Sequence, residues 1–135
     1  MKRIVQSIVA QADKHLDAHD LTSAQWGPLL KLHNGGPSTV VELARWCNTD
    51  AGAMTRLLDR LEKKDLCKRV RSTVDRRVVQ VELTPDGSAV IAQVPAVLAS
   101  VLNAHLAGFS KTEWQALKSY LKRMAAAGEA MRDAE

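Results

Sequence analysis

Asp50-Ala51-Gly52-Ala53-Met54-Thr55-Arg56-Leu57-Leu58-Asp59-Arg60-Leu61-Glu62-Lys63-Lys64 is the stretch whose reading decides the fold. Met54, Leu57, Leu58 and Leu61 recur at three- and four-residue spacing, so they line one face of a helix. Asp50 stands at the N-cap, where its carboxylate suits the orphan amides of the first turn. Arg56, Arg60, Lys63 and Lys64 are left for the opposite face. Ala51, Gly52 and Ala53 make a first turn small enough for close backbone approach to a partner. Thr55 and Arg56 follow within the first two turns.

The flanks give this helix its context. Upstream, Asn34-Gly35-Gly36-Pro37 is a turn. Ser38 or Thr39 caps a short helix carrying Val41, Leu43 and Ala44, which Cys47-Asn48-Thr49 breaks. Two helices joined by so tight a turn form a helix-turn-helix. Downstream the period changes. Leu66–Arg71 and Val78–Leu83 are short β-rich runs, and Val79, Val81 and Leu83 alternate with Gln80 and Glu82. The polar link Ser72-Thr73-Val74-Asp75-Arg76 makes the pair a hairpin, placed as a wing behind the helix-turn-helix.

Longer helices lie outside this centre. Ile4, Val5, Ile8, Val9, Ala12 and Leu16 predict an amphipathic helix over 4–18. Thr22-Ser23-Ala24-Gln25 reads as a capping box opening a second helix that runs to about His33. Thr84-Pro85 opens another, through Val90, Ile91, Val94, Val97, Leu98, Val101 and Leu102, that Gly108 ends. Ser110-Lys111-Thr112-Glu113 caps the last, which carries Leu117, Leu121 and Met124. The expected fold is mainly α with a small β-hairpin wing.

Charge supports a nucleic-acid partner once it is placed along the chain. The 135 residues carry 19 Lys and Arg against 15 Asp and Glu, a surplus of four. From Arg45 to Arg77 there are ten basic and five acidic residues, while the remainder is nearly neutral. Over positions 68–77, Lys68, Arg69, Arg71, Arg76 and Arg77 stand against Asp75 alone. A local surplus of this kind fits a polyanion. Arginines on a hairpin tip suit the narrow minor groove of A·T-rich DNA. No apolar run approaches the ~20 residues of a membrane span, and Gln6, Gln11 and Asp13 interrupt any signal-peptide core. The two cysteines, Cys47 and Cys67, lack metal-ligand spacing, so a reducing cytoplasmic setting is expected. There is no Gly-rich phosphate loop, nucleophile elbow or ligand cluster, so no enzyme and no cofactor is expected.

Leu43-Ala44, the spacing to Asp50, Met54-Thr55-Arg56-Leu57, Asp59-Arg60-Leu61-Glu62-Lys63-Lys64, Asp75-Arg76-Arg77 and Leu83-Thr84-x-x-Gly87 together resemble the MarR family of bacterial transcription regulators. Thr22-x-x-Gln25-Trp26 matches the start of that family's second helix. The resemblance implies one winged helix-turn-helix domain over 1–135, with a DNA-binding lobe at 22–84 and dimerisation helices at 1–20 and 85–135. It implies a homodimer on a pseudo-palindromic operator of double-stranded DNA, acting as a repressor that a small ligand relieves. Ala51, Gly52, Thr55 and Arg56 take recognition-helix positions. Arg76 or Arg77 would reach the minor groove, and Asp75 would pair with an arginine to hold the wing. Arg60, Arg71, Ser72 and Thr73 complete the candidate DNA contacts. Asn48 and Asp65 stand where the family often has Gly, at turns expected to have positive φ.

Two prolines raise the question of an effector. Pro28 cannot donate to Ala24, nor Pro95 to Ile91. Either these are kinks that wrap helices around the core, or they open a cavity between the first, second and fifth helices. Relatives often bind aromatic acids or phenols there. His15, His19, Trp26 and His33 are the side chains in range, with Arg45 to neutralise a carboxylate. Trp26 also fits the core. Three alternatives stay open: a metal response through His15 and His19, a redox response through Cys47 or Cys67, and a winged-helix module for protein assembly.

Overall fold

Four of the expected caps close the helices they precede. Thr39 Oγ1 accepts from Glu42 N–H, and Glu42 returns a carboxylate oxygen to Thr39 N–H, both at 3.2 Å. This box opens α3 (Val40–Trp46). Asp50 Oδ1 accepts from Ala53 N–H at 2.8 Å and opens α4 (Ala51–Lys63). Thr84 Oγ1 accepts from Gly87 N–H at 3.0 Å, with Pro85 as the first residue of α5 (Pro85–Ile91). Ser110 and Glu113 exchange bonds to open α7 (Lys111–Asp133). This computed structural model describes residues 1–17 and 21–135. The remaining helices are α1 (Lys2–Leu16), α2 (Ser23–Gly35) and α6 (Val94–His105).

Three strands form one antiparallel sheet in the order β1-β3-β2: β1 (Ser38–Thr39), β2 (Cys67–Arg71) and β3 (Val79–Leu83). β2 and β3 are the wing hairpin, with Arg69 opposite Val81 and Arg71 opposite Val79. β1 was not anticipated. It pairs Ser38 with Val81 and Thr39 with Gln80, so two residues suffice to tie the start of α3 to the wing.

The chain forms two compact units, Met1–Val101 and Leu102–Glu135. In the first, Leu16, Leu29, Leu43, Met54, Leu58, Leu61, Val81, Ile91 and Val94 are fully buried and form the core. Met54, Leu58 and Leu61 of α4 thus share one core with residues of α1, α2, α3, α5, α6 and β3. Asn48 and Asp65 adopt φ of 55° and 58°, in the left-handed region where these residue types are tolerated. Gly87 has no substitute: a Cβ there would lie 1.8 Å from Leu66 O, so α5 packs on the α4–β2 turn without a side chain between them.

The second unit differs. α7 buries no residue, and Phe109, Tyr120, Leu121, Met124 and Met131 are exposed. Trp114 is half-buried, with the Lys118 ammonium 5.5 Å from its ring centroid, within cation–π range.

The helix expected from Thr84 to Gly108 is divided. α5 stops at Ile91 and α6 starts at Val94, because Pro95 offers no N–H to the Ile91 carbonyl. Gln93 N–H instead reaches Val90 O, three residues back, at 3.3 Å. Pro28, by contrast, is fully buried inside an α2 that continues through it. One exclusion also changes. Pro85–His105 spans 21 residues with a mean hydropathy of 1.5, so length and composition alone would allow a membrane span. Its interruption at Ala92–Gln93 and the seating of Ile91 and Val94 in the core give it a different use.

Candidate nucleic-acid interface

The outward face of α4 follows from its inward one. With Met54, Leu58 and Leu61 buried, Ala51, Gly52, Thr55, Arg56, Asp59 and Arg60 are left exposed. Thr55 Oγ1 donates to Ala51 O at 2.8 Å, back along the helix. The exposed N-terminal end of the helix is small and nearly free of polar side-chain atoms until Arg56.

The wing tip is braced from within. Ser72 N–H donates to Val78 O at 2.8 Å, which closes the loop. Ser72 Oγ accepts from Val74 N–H and Asp75 N–H at 3.2 and 3.3 Å. Arg71 Nη1 donates to Arg76 O at 2.8 Å. Asp75 Oδ1 accepts from Arg77 N–H at 3.0 Å and from its Nε at 3.4 Å. Asp75 therefore aims Arg77 by its Nε and leaves the guanidinium fork outermost, on a side chain 93% exposed. Thr73 and Arg76 are exposed beside it, and Val74 is 96% exposed at the very tip. Of the predicted wing contacts, Arg71 and Ser72 are already engaged in shaping the loop.

Arg69 joins helix to wing at the surface. Arg69, on β2, donates through Nη2 to Thr55 O at 3.2 Å and pairs with Asp59 at 2.9 Å. Its Nη1 pairs with Glu62, which also accepts from Arg69 N–H. Its side chain is only 25% exposed, so these bonds are partly shielded from water. A guanidinium held at several points fixes direction as well as distance. The pitch of the wing relative to α4 is thereby set by Arg69, whose bracing role the sequence reading missed. The signal was a pair of carboxylates, Asp59 and Glu62, three residues apart on an otherwise basic helix.

Of the effector candidates, His15 stands on α1, Trp26 and His33 on α2, and Arg45 on α3. His15 is exposed, with Nδ1 2.8 Å from Gln11 O, and His33 is exposed at the end of α2. Trp26 packs on the core, and its Nε1 is buried without a hydrogen-bond partner. Arg45 is exposed on α3. His19 lies outside the described residues. No hydrogen bond or ring contact among the described residues joins His15, Trp26 and His33. No group of three metal-ligating side chains occurs among the described residues. An open cleft of about 290 Å³ lies instead behind the reading helix, lined by Cys47, Thr49, Ala53, Met54, Leu57 and Arg60. Burial raises the Cys47 thiol pKa above its usual value. Burial and the Glu62 carboxylate push that of Cys67 up to about 11, with Arg69 opposing. Both stay protonated thiols at neutral pH, the less reactive form.

Comparison with known proteins agrees with this geometry. The MarR family model matches residues 21–79, the helix-turn-helix and the start of the wing. The multiple antibiotic resistance protein MarR of Salmonella typhimurium is 40% identical over 81 residues, 60% of this chain. That stretch spans 56% of the Salmonella protein. A mutant of E. coli MarR solved in complex with operator DNA matches at a TM-score of 0.81 and 28% identity, over 91% of this chain and 89% of that one. BpsR of Bordetella bronchiseptica, whose DNA binding is regulated by 6-hydroxynicotinic acid, matches at 0.79 and 26%, over 92% and 94%. The reading helix, the braced wing and these likenesses converge on a winged helix-turn-helix fold similar to that of MarR-family regulators, with the family match carried by residues 21–79.

Proposed function

We propose that this chain is a DNA-binding transcription regulator, a homodimer that represses from a pseudo-palindromic operator in the cytoplasm until a small aromatic acid or phenol releases it. The observation that carries the reading is the Arg69 brace. It holds an exposed basic helix and an exposed basic wing at one fixed pitch. A helix of this kind fits a major groove, and an arginine fork one loop away fits the adjacent minor groove. Ala51, Gly52, Thr55 and Arg56 face base edges. Arg60 and Thr73 lie toward phosphates, and Arg77 with Arg76 enters the minor groove. Arg71, Ser72 and Asp75 keep the wing in shape.

Two such heads need a spacing of ~34–36 Å to meet successive major grooves. The exposed apolar residues of α1, and separately those of α7, offer apolar faces for that dimer. The operator-bound E. coli relative supports the DNA part of the reading.

The cleft behind α4 is favoured as the effector site over His15, His33 and Trp26. It has room for one aromatic ring, apolar walls from Met54 and Leu57, and Arg60 for a carboxylate. A ligand there would neutralise a DNA-facing arginine and press on the reading helix at once. BpsR and its aromatic acid support the ligand class.

Footprinting of the purified protein on DNA upstream of its own gene tests the reading. Two protected patches about 10 base pairs apart are expected, weakened by an aromatic acid in the wild type and not in Leu57→Trp, which fills the cleft. No protection at any salt up to 150 mM would overturn the DNA assignment. Protection indifferent to a panel of aromatic acids would overturn the effector assignment alone.

A further inference from the structure

We infer that Thr55 reads a thymine in the major groove through its methyl group and not its hydroxyl. The inference rests on the DNA-binding reading above and names what one position of that interface recognises.

The hydroxyl of Thr55 donates to Ala51 O at 2.8 Å, so its hydrogen is committed within the helix. With Oγ1 turned back toward the preceding turn, the staggered β-branched side chain leaves Cγ2 as the outer group. A threonine bonded to the carbonyl four residues back is common in helices and says nothing by itself. Here the surroundings give it a use. Thr55 is exposed, and the exposed residues one turn toward the helix N-terminus are Ala51 and Gly52. The surface at the reading end of α4 is thus a threonine methyl, an alanine methyl and the Gly52 backbone, bordered by the Asp50 carboxylate and the Arg56 guanidinium. Asp50, which could have offered a polar group there, is engaged with Ala53 N–H.

The bases differ in what they can offer such a patch. In the major groove guanine, adenine and cytosine present hydrogen-bonding edges, whereas thymine alone adds a C5-methyl. A methyl surface gains from burying that group and gains nothing from the others. Position 55 is also held: Arg69 Nη2 bonds the Thr55 carbonyl, so its height in the groove is set by the same brace that sets the wing. Arg56, next in sequence, has its guanidinium over the Gly52 backbone, with Nη1 3.7 Å from where a Cβ would stand. Asp50 Oδ1 stands 3.2 Å from the same point, so a side chain at 52 would crowd the Asp50 cap and the Arg56 donor together.

Deoxyuridine isolates the methyl. Duplexes selected from a random pool by the full-length wild type are resynthesised with each thymine replaced in turn by deoxyuridine. One position per half-site should weaken wild-type binding about fourfold, the worth of one buried methyl. The same replacement should cost Thr55→Ser nothing, and should still cost Thr55→Val, which keeps a methyl and loses the hydroxyl. Circular dichroism checks that each variant is folded. If no deoxyuridine weakens the wild type, or if Thr55→Ser loses as much as the wild type, the inference is wrong while DNA binding stands. A pool from which nothing is selected would overturn the DNA reading and this inference with it.

Discussion

Along α4 and the wing, what meets solvent is mostly charged and small side chains, with Val70 and Val74 the apolar exceptions; the exposed residues of α1 include Ile4 and Val5, and those of α7 include Tyr120, Leu121, Met124 and Met131. The first region is held from within by the Arg69 brace and the Asp75–Arg77 and Arg71–Arg76 contacts. The second is regular helix with its apolar residues uncovered. Exposed charge on a rigid frame is complete as it stands, because water solvates it until a polyanion replaces the water. Exposed apolar area in quantity is incomplete, because soluble monomers rarely keep it. The difference is why DNA is proposed for the charged face and a second copy of the chain for the apolar faces.

The comparison breaks most readily at α7. Leu121→Glu with Met124→Glu should weaken the proposed dimer by about 100-fold or more, since symmetry counts each lost apolar contact twice. Sedimentation equilibrium measures this, with helical circular dichroism unchanged. An intact dimer would move the association surface elsewhere.

The brace comes next. Arg69→Ala removes the bonds to Thr55 O, Asp59 and Glu62 and leaves two carboxylates beside the DNA face. About 10-fold or more loss of DNA affinity is expected, with about 1–3 kcal/mol of stability in urea. Arg69→Lys should restore little, because an ammonium lacks the planar fork. Equal affinity in all three would mean that the wing needs no fixed pitch.

Cys67 sharpens the contrast between held and open parts. Its thiol should resist disulfide-exchange reagents at neutral pH until the fold opens globally, while half-buried Cys47 reacts sooner. Its raised pKa means the folded state favours the neutral thiol. That contribution to stability is complete below the ordinary thiol value of 9.0 and is lost as pH climbs through about 11. Thiol titration and urea melts at stepped pH check both; rapid labelling of native Cys67 would contradict them and reopen a redox response.

The smallest effect lies in the turns. Asn48→Gly and Asp65→Gly relieve φ values of 55° and 58° and should each stabilise by about 0.5 kcal/mol, a melting shift of roughly 2 °C. A loss of stability would mean that the side chains contribute more than the strain costs.

Much of this was legible in the sequence because caps and breaks act locally. Asp50, Thr39, Thr84 and Ser110 each govern the helix that follows, and Asn48 and Asp65 took the backbone geometry that a glycine position implies. What escaped is long-range. β1 is two residues long and exists only because β3 pairs with it. The brace needs Arg69 on a strand to meet Asp59 and Glu62 on a helix, which spacing alone does not reveal. How the proposed effector residues meet is long-range as well: His15 and His33 are exposed, while Trp26 packs on the core. The cleft behind α4 has no sequence signature, since Cys47 and Thr49 join Met54 and Arg60 only through the turn between α3 and α4.

In the proposed function, the local basic surplus of helix and wing grips DNA phosphates. Its most direct test is the salt dependence of operator affinity for the wild type and for Arg76→Ala with Arg77→Ala. The wild type should show log affinity falling steeply with log salt, by ~0.9 for each phosphate neutralised. The double variant should bind at least about 100-fold more weakly, with a slope shallower by roughly 2 for each wing engaged. Equal slopes and equal affinities would contradict the claim and take the wing out of the DNA interface.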